Sequence, residues 1–371
     1  YFLIIVIGAY LYSNFKLKND STLKKTFISG FLFKIIVGVA FGIIYDFYYG
    51  QVGDTFGYFY NSSYLGDLLF QNPKAYFYML FDVVNQKSIY SLGSNLTYWP
   101  AFEDVSRYAV HRYVSLFTII GLKNYYITTL CLNAFMFILN WKAYRFFADL
   151  FPRRKTLVAV AILFIPSVTF WSSGIVKDTF TYSFGLLFLV YFYKIFFQRK
   201  VSIFNLVWLV FASYMVLSIK PYILYAMITS GFIWLGFANL HRIGNRIVRV
   251  FILPVVFLVV GFGGMWTMNT VMQLVGGQYG NVDAMLQKAV IAQQDLKQEY
   301  YQGAAFDIGD FAPTIEGALS VTPSAILAGL YRPFLWEARS AVMLLSGLEN
   351  LALLLLTLYV FFRVGIRQFF R

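Results

Sequence analysis

Apolar runs of about 18 to 24 residues recur along almost the whole chain, and each is long enough to cross roughly 30 Å of hydrocarbon as a helix. Only 13% of the residues are charged while 59% are hydrophobic, so an ordinary soluble domain is excluded. Strands of about ten alternating residues, which a membrane barrel requires, are absent from the pattern. An all-α, polytopic transmembrane helical bundle of about nine to ten spans is therefore expected. The spans read as about 1–13, 27–46, 125–147, 156–172, 178–196, 203–219, 221–239, 250–268 and 341–362. The first residue is Tyr1, already inside an apolar run. Further residues are expected to precede it, and a signal peptide cannot be read.

Charge separates the connections into two kinds. Eighteen of the 30 basic residues fall in short loops and a short tail on one side: Lys16 to Lys25, Lys142 to Lys155, Lys194 to Lys200, Arg242 to Arg249 and Arg363 to Arg371. The positive-inside rule makes that side, including the C-terminus, cytoplasmic. Only Asp20 and Asp149 of the 17 acids join them, leaving +16 there and −3 elsewhere. The net charge of +13 thus reflects topology and gives no reason to expect nucleic acid as a partner. Two long segments, about 47–124 and 269–340, remain as partly helical outer loops of a single transmembrane domain covering residues 1–371. The stretch 105–122 is apolar enough to be a tenth span, but counting it would invert every later loop, so an interfacial or re-entrant segment is expected.

Three segments concentrate groups able to do chemistry. "WSSGIVKDTF", Trp171 to Phe180, reads as an outer hairpin between two spans. There Lys177 can meet an anionic group, and Asp178 can cap the next helix. "YDFYYGQVGDTFGYFY", Tyr45 to Tyr60, offers Asp54 as a general base, with Tyr58 and Tyr60 as rings on which a sugar can stack. "LYRPFLWEARSAVMLLSGLEN", Leu330 to Asn350, carries Arg332 and Arg339, which suit phosphate. Glu337 there can orient an arginine or act as an acid or base, and Trp336 and Trp99 extend the aromatic rim. Lys220, in "SIKPY", is expected near Lys177 as a further phosphate ligand. Each of these groups also has a plainer reading: a helix cap, a snorkelling lysine, an aromatic belt or an Arg–Glu tie.

Asp307, Asp310 and Glu316 are able to attract a divalent cation, but their spacing is no recognised calcium loop. No other cofactor is indicated. The two histidines, His111 and His241, are placed on opposite sides by the loop assignment, which disfavours a His-rich metal site or a Ser–His–Asp hydrolase. No glycine loop for nucleotide phosphates is present, so an activated group has to arrive already attached to a substrate. Cys131, the single cysteine, reads as a small buried hydrophobe.

Together "GDTFGYFY", "PSVTFWSSGIVKD" and "RPFLWEARSAVMLLSGLEN" resemble polytopic proteins of bacterial surface-polysaccharide assembly, both O-antigen-type polymerases and, more distantly, glycosyltransferases of the GT-C type. They cover only 40 residues of the chain. The resemblance implies a GT-C-like bundle in the bacterial inner membrane with periplasmic loops. It also implies transfer of a saccharide from an undecaprenyl (pyro)phosphate carrier on the periplasmic face. Asp54 matches the early outer-loop aspartate that serves as base in GT-C enzymes, though their paired-acid loop signature is not clear here. Arg332 and Arg339 match the outer-loop arginines with which polymerases hold pyrophosphate. On that reading the partners are a polyprenyl-linked saccharide, membrane lipid and other membrane proteins. A different class, a non-catalytic subunit or transporter in envelope biogenesis, secretion or motility, is the competing expectation.

Overall fold

The computed structural model describes residues 1–51, 53–81, 104–240, 282–298 and 307–365. Among them 84% are helical and none forms a strand. The chain divides into two compact units, Tyr1–Val271 and Met272–Arg371.

The first unit runs α1 (Phe2–Lys16), α2 (Ser21–Ile43, extended by a π-helical turn to Tyr48), α3 (Asp54–Gln71), α4 (Pro73–Phe81), α5 (Val105–Ile120) and α6 (Tyr125–Leu150). It continues with α7 (Lys155–Ala159, extended by a π-helical turn to Phe164), α8 (Pro166–Trp171), α9 (Lys177–Phe192, extended to Phe197), α10 (Ile203–Ile219) and α11 (Pro221–Leu240). Local chemistry starts these helices. Asp20, Asp104, Asn124 and Ser202 each accept a backbone N–H of the first turn, and Pro166 stands at the first position of α8, where a missing N–H costs nothing.

Among the described residues, four helices are long and apolar enough to cross a membrane: Ser21–Tyr48, Lys177–Phe197, Pro221–Asn239 and Met343–Val364. Helices Phe2–Lys16, Ile203–Ile219 and Ile315–Tyr331 are apolar but shorter. Bulky apolar side chains such as Ile36, Phe47, Ile138, Val207 and Val210 face outward on the first unit, as a lipid-facing surface requires. The span expected at 125–147 is a single helix, α6. The span expected at 156–172 is not one helix. Proline cannot continue the backbone ladder and pushes the preceding residue out of helical geometry, so the chain breaks at Ile165, whose ψ is 120°. The span expected at 250–268 lies outside the described residues.

Aromatic packing dominates the core of the first unit. One cluster gathers Phe56, Val114, Leu132, Met136, Phe180 and Phe188 from α3, α5, α6 and α9. A second joins Phe27, Phe31, Phe137, Trp141 and Leu163, with edge-on rings such as Phe27 against Trp141 at 4.9 Å.

The turn of the hairpin expected between the two spans is buried within the unit. Ser172, Ser173 and Ile175 are buried, and the segment is held by side chains from two other helices. From α2, Lys34 Nζ donates to the Ser172 carbonyl at 2.6 Å and to the Ser172 and Ser173 hydroxyls at 3.3 and 3.4 Å. From α6, Asn133 Nδ2 donates to the Ser173 carbonyl at 2.7 Å. These bonds satisfy carbonyls that the broken helix leaves open, which is the condition for irregular backbone inside a bundle. Gly174 packs against the Phe41 ring so closely that a Cβ would collide with it. Gly174→Ala is accordingly expected to destabilise the unit by about 1–3 kcal/mol through overpacking. Thermal unfolding in detergent would read this, and an unchanged midpoint would refute the tight fit.

The second unit contains α12 (Val282–Leu296), α13 (Ile315–Tyr331) and α14 (Ala341–Val364), with a 3₁₀ turn at Leu335–Glu337. Helix α13 packs on α14 although Pro323 lies within it.

Candidate functional site

Charged groups gather where the first turns of α3, α5 and α9 meet the end of α10. Gly53, at φ 130°, gives the turn that delivers Asp54 into the first turn of α3. Asp104 caps α5 through the Ser106 and Arg107 N–H groups, at 2.9 and 3.2 Å, and that cap fixes Arg107 one turn further on. The Arg107 guanidinium then lies 3.7 Å from both the Asp54 and the Asp104 carboxylates. From α9, Lys177 Nζ reaches the same end of α5, donating to Ser106 Oγ at 2.7 Å and standing 3.9 Å from Asp104. Lys220, at the end of α10, donates to the Asp178 carboxylate at 2.5 Å.

Asp54, Lys177 and Lys220 are thereby brought to one place in the fold, and Asp104 and Arg107 connect the first two. Asp54 and Arg107 are exposed, at 62% and 56% of their side chains, whereas Lys177 and Lys220 are largely covered, at 19% each. Asp178 does not cap α9 as expected: its carboxylate lies on Lys220, and Val176 occupies the cap position without a side-chain bond.

Tyr58, one turn after Asp54, lies beneath these charges. It is 3% exposed, and its hydroxyl has no hydrogen-bond partner among the described residues. Burial, reinforced by the Asp54 carboxylate, pushes the phenol pKa up, so the hydroxyl stays protonated and able to donate. His111 packs beside Tyr58, with ring centroids 5.3 Å apart. Burial pushes its pKa down to about 4, with the Arg107 and Lys177 charges acting in the same direction, so the imidazole is neutral at physiological pH.

A polar rim continues from this cluster. Exposed Tyr60 donates to Gln51 Oε1 at 2.8 Å, and Gln51 Nε2 and the Tyr126 hydroxyl donate to Asp46 at 2.8 and 3.0 Å. Trp99 lies outside the described residues.

Arg332, Glu337 and Trp336 form a separate arrangement in the second unit. Arg332 grips Glu337 with two bonds, Nε to Oε2 at 3.1 Å and Nη2 to Oε1 at 2.6 Å, and its Nη1 donates to the Asp307 carbonyl. Glu337 also accepts the Phe334 N–H at 2.9 Å. The Arg332 bond holds the Glu337 carboxyl below the usual carboxylate range, so it is ionised near neutral pH and pairs with the guanidinium. Trp336 is exposed and stacks on Phe334 at 4.9 Å. Arg339 is exposed. Asp307 and Asp310 close on the Lys297 ammonium at 3.2 and 2.8 Å. No group of three or more metal-ligating residues is found among the described residues. Arg332→Lys, which removes the two-pronged grip, is expected to open this turn to limited proteolysis between residues 332 and 340. Unaltered cleavage would contradict that role.

Lys34, Asp104 and Arg107 were not among the residues expected to matter. A signal existed for each: Lys34 is the one charge inside "FLFKIIVG", and "EDVSR" places an acid three residues before an arginine at a helix start. No family model, curated protein or solved structure matches the chain.

Proposed function

We propose that the protein transfers a saccharide from a polyprenyl (pyro)phosphate carrier, acting as a glycosyltransferase or polysaccharide polymerase of the bacterial inner membrane, with the charged cluster on the periplasmic side. One observation carries this reading: an exposed carboxylate, two cations and a buried phenol without a hydrogen-bond partner among the described residues converge at one end of a bundle of apolar helices. A lipid-linked phosphate needs that combination, apolar walls for the polyprenyl chain and cations at its head. Arg107 and Lys177 neutralise the departing phosphate, and the Tyr58 hydroxyl donates to one of its oxygens, stabilising charge as it develops. Asp54, exposed and 3.7 Å from the Arg107 guanidinium, deprotonates the acceptor hydroxyl. Lys220 already has its counter-ion in Asp178 and sets the local field. Tyr60 and the Gln51–Asp46 rim offer a stacking face and hydrogen bonds to sugar hydroxyls. In the second unit, taken by itself, Arg332 and Arg339 are candidate contacts to a phosphate and Trp336 to a saccharide ring.

A second reading, a transporter or non-catalytic subunit, draws on Lys34 at a helix broken inside the bundle, a device transporters use at their binding sites. The two readings separate in cells carrying Lys177→Ala at normal protein levels. Accumulated lipid-linked saccharide with loss of surface glycan supports transfer. Intact glycan with loss of a partner complex refutes it.

A further inference from the structure

A second cationic site lies at the arginine-rich end of the first unit. Lys142, on α6, places Nζ 4.7 Å from the Trp208 ring centroid, 5.0 Å from Tyr191 and 5.7 Å from Phe204. Lys194, in the last turn of α9, places Nζ 5.0 Å from the same Tyr191 ring and 5.5 Å from Phe146. Two ammonium groups therefore share one aromatic ring. Neither has a carboxylate within ion-pair distance among the described residues. Tyr191 is fully buried, and its hydroxyl has no partner among the described residues.

Half-buried like charges repel, and ring faces compensate a cation less than an anion does. We propose that Lys142 and Lys194 bind the phosphate of an anionic membrane lipid. Their four-carbon stems let both ammoniums turn onto one phosphate at about 2.8 Å, the distance of a charge-assisted hydrogen bond. The surroundings select a lipid over free phosphate. Ile138, one turn before Lys142 on the same face of α6, is 62% exposed, and Val207 and Val210 on α10 are 57% and 66% exposed. Acyl chains can lie along these side chains while the headgroup stays at the lysines. The nearby Arg145, Arg199 and Lys200 add positive potential of the kind that draws anionic lipid to a membrane face.

The full chain, purified in a neutral detergent, is titrated with phosphatidylglycerol, with phosphatidylcholine and with inorganic phosphate, and bound lipid is counted by native mass spectrometry. The native chain is expected to prefer phosphatidylglycerol, and equal binding of the two lipids overturns the proposal without any variant. The double variant Lys142→Gln/Lys194→Gln is expected to lose roughly tenfold or more in affinity, from two headgroup charges. A control with the same loss of charge, Arg153→Gln/Arg154→Gln, is expected to keep the preference. Unchanged binding by the double variant, or equal loss in the control, overturns the site. Displacement of phosphatidylglycerol by inorganic phosphate identifies a free-phosphate site and overturns the lipid assignment.

Discussion

Asp54→Asn is expected to lower saccharide transfer by about 10²–10⁴-fold, the usual contribution of a positioned general base, while protein levels stay normal. Asparagine keeps the shape of the side chain but cannot take a proton. The substitution costs the fold little, because the Asp54 carboxylate is 62% exposed and its ion pair with Arg107, at 3.7 Å, is of the surface kind worth about 0–1 kcal/mol. Cells carrying it should accumulate the lipid-linked saccharide. Wild-type glycan length and amount at normal protein levels would show that Asp54 is not the base. Glu337→Gln serves as the contrasting variant. With its carboxylate already occupied by Arg332 and the Phe334 N–H, it should leave a transfer rate whose pH dependence is unaltered.

Lys34→Met is expected to have the opposite profile, a loss of stability before any specific loss of chemistry. Lys34 lies 13 residues into a helix that begins at Ser21, about 20 Å along its axis, and its side chain is buried. Its ammonium meets the Ser172 carbonyl at 2.6 Å and faces the Ser172 and Ser173 hydroxyls. Methionine fills most of the volume but leaves those groups with one donor fewer. The cost is on the order of 2–4 kcal/mol, read as a lowered unfolding midpoint in detergent. Lys34→Arg, which keeps the charge, should recover part of the loss if the small cavity lined by Gly30, Phe137, Asn140 and Leu163 admits the larger head. A midpoint unchanged in Lys34→Met would mean that the broken helix is held chiefly by Asn133 and packing.

These two residues also mark what was legible in the sequence. Helices were readable because a run of apolar residues carries its own signal, and the break at Pro166 follows from one residue's missing N–H. Asp54 and Lys177 stood out because each is a charge at the edge of an apolar run. Their relationship did not, since it passes through Asp104 and Arg107 in a stretch whose span-like hydropathy masked its helix-start chemistry. Lys34 was hidden for a related reason. A single charge among apolar neighbours reads as part of the span, and its partner lies 138 residues away. The burial of Ser172 and Ser173 has the same origin, because turn-forming residues look alike at a surface and inside a bundle until a distant donor is known. By contrast, Arg332 and Glu337 are five residues apart, and their pairing was among the alternatives visible from the start.

On the proposed function, the Asp54–Arg107–Asp104–Lys177 cluster receives a polyprenyl-linked phosphate. The most direct measurement is equilibrium binding of a short-chain polyprenyl phosphate to the purified full chain and to Arg107→Ala and Lys177→Ala. Saturable binding by the native chain, weakened by about tenfold or more in each variant, is the predicted result, since each removes one charge-assisted contact. Equal affinity in all three proteins, with both variants folded, would contradict the account.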